Sequence, residues 1–312
     1  MNFSIANSTV IGLDIITLTD NLNNTSVLID ASNGARLHGF IVDGFNLIDS
    51  FDSEEEMKRD FALSYKSAKM SPFACRIEDG RYVFNDKNYE FSQKFPDGSA
   101  IHGILFNRHF KVEESFVTES VACVKLSYEY TADEPGYPFK YRCEVTYSLS
   151  TGNSLTIETR IINLEDFEIP VQDGWHPYFT LGGSIDDCQL QVASSKKLVF
   201  TEKLIPNGEF TEEPQFLNAV SLKNIELDNS FLLEDVNHQN PVCVFSNPKT
   251  NRSLSIYVLK NYPILQIYTP PHRKSMAIEN ISGAPNCFNN QMGLRLVKDS
   301  EVFSCRYVPQ FP

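Results

Sequence analysis

The chain has 312 residues, 42% hydrophobic and 21% charged, which is enough apolar material for a sizeable core. Its formal net charge of -13 argues against nucleic acid, whose phosphates demand basic surface, and against an anionic membrane; a neutral small molecule suits that balance better than a highly charged anion. No apolar run approaches the roughly 20 residues needed to cross a bilayer, and MNFSIANSTVIGLDI lacks a basic region followed by a continuous apolar stretch, so no secretion signal is expected.

In chain order, the first clear element is helical. DSEEEMKRDF offers a capping box between Ser53 and Glu56, with acids in the first turn, and its polarity predicts a surface helix. After it the signals are those of strands. VACVKLSYEY alternates Ala122, Val124, Leu126, Tyr128 and Tyr130 with more polar residues. RCEVTYSLS and SLTIETRII flank Thr151-Gly152-Asn153, which is a β-hairpin by period and turn chemistry. SLSIYVL and ILQIYT repeat the short-strand pattern. Aromatic and β-branched residues are plentiful, and no Gly/Ser/Pro-rich linker divides the chain. The expected architecture is all-β, a large antiparallel β-sandwich forming one domain over residues 1–312.

Several chemistries are missing from the sequence. His38, His102, His109, His176, His238 and His272 show no HxH or HExxH spacing, so no metal site is expected. Neither GxxxxGK nor GxGxxG occurs, nor a GxSxG elbow, and no cofactor is expected. The seven cysteines are scattered and never form CxxC, which fits reduced thiols in a cytoplasmic protein.

What remains is a dispersed polar set within strand-like segments: Arg76 after PFAC, His102 in SAIHGILF, His176 in DGWHPYFTLGG, Asp228 in IELDNSFLL, and Glu279 at the lip of an apolar strand ending in AIE. Taken singly, each reads as a structural histidine, a turn or a surface residue, and periodicity does not bring the five together. Pro177 biases His176 toward an extended backbone. In a regular strand Trp175 and Phe179 then point to one face, toward a core, and His176 and Tyr178 to the other. The competing arrangement stacks Trp175 on a ligand ring. Gly103 either admits a ligand close to the backbone or marks an ordinary bulge.

At these residues the chain resembles the aldose 1-epimerases, or galactose mutarotases. SPFACRIEDGRYVFNDKNYEF is similar to the family's early segment, SAIHG and GWHPYFTL to its two histidine motifs, and ELDNSFLL to its aspartate segment. ILQIYTPPHRKSMAIENISGAPNCFNN resembles its closing signature. The pieces stand in the family's order over roughly residues 70 to 290.

The resemblance implies a β-sandwich with an open cleft that takes a sugar. It implies His176 as general acid, Glu279 as general base, and Arg76, His102 and Asp228 as hydrogen-bonding partners of the substrate. Opposite charges on such a pair would raise the histidine pKa and lower that of the glutamate. Departures are Cys75 where asparagine is usual, Asn280 where proline is common, Cys287 for alanine, and Gly-Ile after His102 instead of Gly-Gly. The implied reaction interconverts α and β anomers of a free aldohexose such as galactose or glucose. Two alternatives stay open. One is a hexose-6-phosphate 1-epimerase, for which Arg108 with Lys111, or His272-Arg273-Lys274, would supply the basic groups. The other is a carbohydrate-binding or sensing β-sandwich without turnover.

Overall fold

A computed structural model describes residues 2–234 and 236–312. The hairpin around Gly152 forms as its turn chemistry dictates: Tyr141–Ser150 and Ser154–Asn163 pair antiparallel, with Ser150 opposite Ser154. These strands belong to a nine-stranded sheet, in which Val121–Tyr130 lies beside Tyr141–Ser150, and Ser300–Gln310 beside Ser154–Asn163. Arg252–Lys260 continues the sheet on the far side of Ser300–Gln310.

A second sheet carries the site. Along it run Pro206–Glu212, Lys196–Phe200, Asp228–Leu232, Ile264–Tyr268, Met276–Ile281, Gly174–Trp175 and Lys69–Met70, while Tyr178–Phe179 also pairs with Met276–Ile281. A five-stranded sheet of N-terminal strands, Phe3–Val10 through Phe45–Asn46, joins the same hydrophobic core.

The two large sheets meet through interdigitated aromatic and aliphatic side chains, as two half-apolar sheets must in order to bury their inner faces. Trp175 packs edge-on against Tyr147 at 6.1 Å between ring centroids, and Phe179 lies 5.3 Å from Tyr307. Phe231, Leu265, Ile267 and Ile278 of the second sheet share this core with Leu126, Ile157 and Phe303 of the first. The expected all-β sandwich is therefore present. The period-2 rule then sets the other face of the second sheet, because residues between these core positions must point away from the sandwich.

The predicted helix forms as Glu54–Ser64. The Ser53 side chain accepts from the Glu56 amide at 3.1 Å, and Glu56 reaches back to accept from the amide of Asp52 at 2.7 Å. It is not wholly a surface element. Met57 and Phe61 are buried, and Phe61 packs edge-on against Phe51 and Phe106. The helix ends at Tyr65 in a left-handed conformation (φ 50°), which turns the Tyr65 ring toward His102.

Candidate active site

The floor of the site is a row of side chains on three adjacent strands. Asp228–Leu232 pairs with Ile264–Tyr268, placing Ser230 opposite Gln266, and Ile264–Tyr268 pairs with Met276–Ile281, placing Gln266 opposite Glu279. Phe231, Leu265, Ile267 and Ile278 point into the sandwich. Ser230, Gln266 and Glu279, in the alternate positions, therefore share the outer face. Ser230 Oγ donates to Gln266 Oε1 at 2.5 Å, and Gln266 Nε2 donates to Asp228 Oδ1 at 2.7 Å. Glu279 sits inside its strand at 2% exposure, not at a strand lip, and its Oε2 has no hydrogen-bond partner among the described residues.

His176 stands beside this row. Gly174 pairs with Ile281, and the following chain is tied to residues 67–70: the His176 amide donates to Ala68 O at 3.1 Å, and the Ser67 amide donates to His176 O at 2.9 Å. The extended backbone expected before Pro177 is thus fixed by hydrogen bonds on both sides. Its Nε2 lies 3.4 Å from Glu279 Oε1. Trp175 and Phe179 face the core and Tyr178 faces the cleft with His176, so Trp175 does not stack on a cleft ligand.

Beneath His176, Lys69 Nζ forms a 2.5 Å ion pair with Asp173, both side chains fully buried, and lies 4.5 Å from the centroid of the Trp175 ring. Tyr262 donates to the other oxygen of Asp173 at 2.7 Å. Removing one member of a buried pair of this kind costs about 3–5 kcal/mol. It fastens the segment that carries His176.

The rim is built differently. Arg76–Ile77 pairs with Ala100–Ile101 as two residues of ladder only. His102 follows in a left-handed conformation (φ 56°), its ring edge-on to His176 at 4.7 Å between centroids and its Nδ1 3.1 Å from Met70 Sδ. A neutral His102 donating from Nδ1 to that sulfur presents Nε2 as an acceptor. Close backbone packing accounts for Gly103. Its φ is 76°, and an added Cβ would lie 2.4 Å from the backbone oxygen of Ser71. The glycine is required by the close passage of two backbones. Arg76 is not a solvated turn residue; its side chain is 15% exposed and ion-paired with Asp97.

All five residues singled out in the sequence, Arg76, His102, His176, Asp228 and Glu279, line one cavity of about 230 Å³. Tyr65, Tyr178, Gln266 and Tyr268 line it too. Sequence reasoning missed Gln266. Its signal is faint but present, as the lone polar side chain in ILQIY, two positions before Tyr268 on the same strand face. The Lys69–Asp173 pair, 104 residues apart, leaves no local signal.

Burial sets the electrostatics. Desolvation lowers His176 to about 4, and desolvation followed by the Asp228 charge pushes Glu279 well above the carboxylate range. Both directions oppose the mutual stabilisation expected from an opposite-charge pair, because burial removes the solvent that would stabilise either charge. A neutral imidazole with a carboxylic acid holds the same number of protons as an imidazolium with a carboxylate. Between the two titrations the pair as a unit therefore holds one proton. Burial also lowers His102 well below its usual value, with His176 and Arg76 adding to the effect.

Among the departures, Cys75 lines the cleft with φ 54°, a left-handed backbone that asparagine tolerates better than cysteine, and burial pushes its thiol up. Asn280 points the other way, donating to the Tyr307 hydroxyl at 3.1 Å in the core. It does not reach the cleft. Cys287 is fully buried.

The basic groups considered for a phosphate lie outside this cavity. Arg108 pairs with Asp133 at 2.7 Å, Lys111 sits on an exposed strand, and Arg273 is held by Asp186 and by the carbonyls of Leu222 and Ile225.

Comparison with known proteins places these observations in context. The sequence profile of the aldose 1-epimerase family matches residues 14–296. The chain is 24% identical over 275 residues to the uncharacterised protein YihR of Escherichia coli K12, covering 86% of this chain and 84% of that one. It is 23% identical over 257 residues to the bifunctional protein GAL10 of Kluyveromyces lactis, covering 77% of this chain but 37% of the longer protein. In fold it is similar to a galactose mutarotase-like protein from Clostridium acetobutylicum (TM-score 0.89, 18% identity, 100% and 99% of the two chains). It is also similar to galactose 1-epimerase from Lactobacillus acidophilus (TM-score 0.82, 19% identity, 99% and 98%).

Proposed function

The chain belongs to the aldose 1-epimerase family, and we propose that it interconverts the α and β anomers of a free, neutral aldohexose such as galactose or glucose, with Glu279 as base and His176 as acid. The observation that carries this reading is the buried pair, Nε2 to Oε1 at 3.4 Å, opening on a cleft of about 230 Å³.

The chemistry follows from the pair. Glu279 takes the proton of the C1 hydroxyl, the bond between C1 and the ring oxygen breaks, and His176 protonates that oxygen. The open aldehyde rotates about C1–C2. Reclosure runs the same transfers backward from the other face and returns both groups to their starting states. These steps start from the imidazolium–carboxylate form of the pair, which moving one proton from Glu279 to His176 produces from the neutral form that burial favours, so no outside proton is needed. Each proton-transfer role contributes on the order of 10²–10⁴-fold in rate. Gln266 holds Asp228 at 2.7 Å, which fixes a carboxylate oriented to receive sugar hydroxyls, while Arg76 and His102 Nε2 supply a donor and an acceptor from the rim.

Charge favours a neutral sugar over a phosphosugar. Among the cleft-lining residues Arg76 is the only lysine or arginine, its charge is already met by Asp97, and Asp228 and Glu279 are both acidic. A phosphate there would lack an uncommitted cation.

Polarimetry of freshly dissolved α-D-galactose, α-D-glucose and α-D-glucose 6-phosphate tests the reading. The expected result is an accelerated approach to anomeric equilibrium for the neutral sugars and little for the phosphate. Acceleration of the phosphate alone would overturn the substrate class. Sugar binding with rates at the buffer background would leave a binding protein.

A further inference from the structure

Arg76, Lys94 and Lys203 flank the cleft, and each is met by a carboxylate. Lys203, next to the cleft-lining Leu204, pairs with Glu78 at 2.8 Å, and Lys94, next to the cleft-lining Phe95, pairs with Glu90 at 2.5 Å. Neither lysine lines the cleft itself, and the Lys203 side chain is 64% exposed. Arg76 differs from both. Its side chain is 15% exposed and lines the cavity, and its partner is Asp97.

The fold holds Asp97 in place for this contact. Arg76 lies opposite Ile101 in a two-residue ladder, and Asp97 stands in the turn that leads into Ala100–Ile101. The turn is closed by the Phe95 amide donating to Ser99 O at 2.8 Å and the Gly98 amide donating to Phe95 O at 2.9 Å. Asp97 Oδ1 accepts from the Ser99 amide at 2.9 Å, which leaves Oδ2 for Arg76 Nη1. This is the only side-chain hydrogen bond of Arg76 among the described residues. A guanidinium has five N–H donors, so donors remain for whatever occupies the cavity. The same charge acts inward: burial raises the Asp228 carboxyl, and Arg76 offsets part of that rise.

Resting on the proposed anomerase activity, we propose that Asp97 is the positioning residue that sets the charge class of the substrate: it holds the Arg76 guanidinium in the cleft wall and cancels its charge, so the cleft takes a neutral sugar and disfavours an anionic one. With Asp97 half-exposed, the ion pair adds little to folding. Its consequence lies in the cleft, where a poorly solvated cation without its carboxylate would attract a phosphate or carboxylate more strongly than the intact pair does. Removing the charge of Asp97 therefore turns a committed arginine into an anion site and leaves the acid–base pair in place.

The test compares mutarotation of glucose, glucose 6-phosphate and glucuronate in wild type, Asp97→Asn, Asp97→Ala and Glu78→Gln. Asparagine keeps an oxygen for the Arg76 donor and loses only the charge, so orientation and charge separate. Asp97→Asn should leave the thermal midpoint and glucose kinetics close to wild type. It should raise kcat/KM for the anionic sugars relative to glucose about tenfold, the return of one charge-assisted hydrogen bond. That gain should shrink at high salt and vanish when Arg76→Gln is added. Asp97→Ala should show the same gain and, with the guanidinium no longer held, raise the glucose KM a few-fold at unchanged kcat. Glu78→Gln, which loosens the exposed Lys203 instead, should change neither. The role of Asp97 is overturned, while the anomerase reading stands, by no gain or a lost fold in Asp97→Asn, by an equal gain in Glu78→Gln, by a gain that survives Arg76→Gln, or by a fall in glucose kcat in place of the KM rise. If the wild type turns over no sugar, the anomerase reading fails, and calorimetric titration with glucose and glucuronate decides the role. A relative gain for glucuronate in Asp97→Asn would uphold it, and equal or absent binding would overturn it.

Discussion

The floor and the rim of the cleft reach the same place by different physics. On the floor, Ser230, Gln266 and Glu279 sit opposite one another in continuous antiparallel ladders, so hydrogen-bond register alone fixes their spacing and side-chain parity fixes their direction. On the rim, Cys75, His102 and Gly103 have φ of 54°, 56° and 76°, and two residues of ladder hold Arg76. Those conformations persist only because neighbouring backbone over-determines them: His102 N donates to Cys75 O at 2.7 Å, and Ile104 N donates to Ser71 O at 2.8 Å. The regular region can therefore carry Glu279, the proposed base, at low conformational cost. The strained region frames them.

The sharpest way to break this contrast is at the floor and at the histidine beside it. Glu279→Gln and His176→Asn should each lower kcat/KM on the order of 10²–10⁴-fold, with circular dichroism unchanged. Activity near wild type in either variant would remove the pair from the chemistry.

The rim should fail through folding first. Gly103→Ala puts a methyl against Ser71 backbone at a positive φ, and should cost about 1–3 kcal/mol, read as a lower midpoint in urea or heat. An unchanged midpoint would mean that close packing does not set the rim.

A pH profile separates the two regions more finely. The one-proton form of the His176–Glu279 pair exists between the imidazole value of about 4 and the raised value of Glu279. A bell-shaped kcat/KM is expected, with its acid limb near pH 4 and its alkaline limb above the ordinary carboxylate range. The Asp228 charge opposes ionisation of Glu279. Asp228→Asn should therefore let Glu279 lose its proton at lower pH and move the alkaline limb down. A limb that stays or moves up would show that the two carboxyls are not coupled.

The smallest effect belongs to Cys75→Asn. An asparagine tolerates the left-handed backbone and adds an amide to the cleft wall. One new hydrogen bond of about 0.5–1.5 kcal/mol corresponds to a KM roughly two- to tenfold lower. A rise in KM would mean that the thiol is shaped to the sugar.

Much of this was legible in the chain. The hairpin at Thr151-Gly152-Asn153, the capping box at Ser53 and Glu56, and the core-facing parity of Trp175 and Phe179 are local consequences of turn chemistry and period, and each appears where the sequence set it. Family motifs picked out the five residues that line the cleft. Gln266 went unread because a lone polar residue in an apolar strand has many uses, and only its register partner Glu279 distinguishes them.

Tertiary structure alone decided the rest. Which strand lies beside which brought Ser230, Gln266 and Glu279 into one row, and the ion pair of Lys69 with Asp173 fastened His176 beside it. It also reversed the expected pKa directions. A sequence shows that an imidazole and a carboxylate exist, but the free energy of their charges depends on how much water the finished fold excludes from around them.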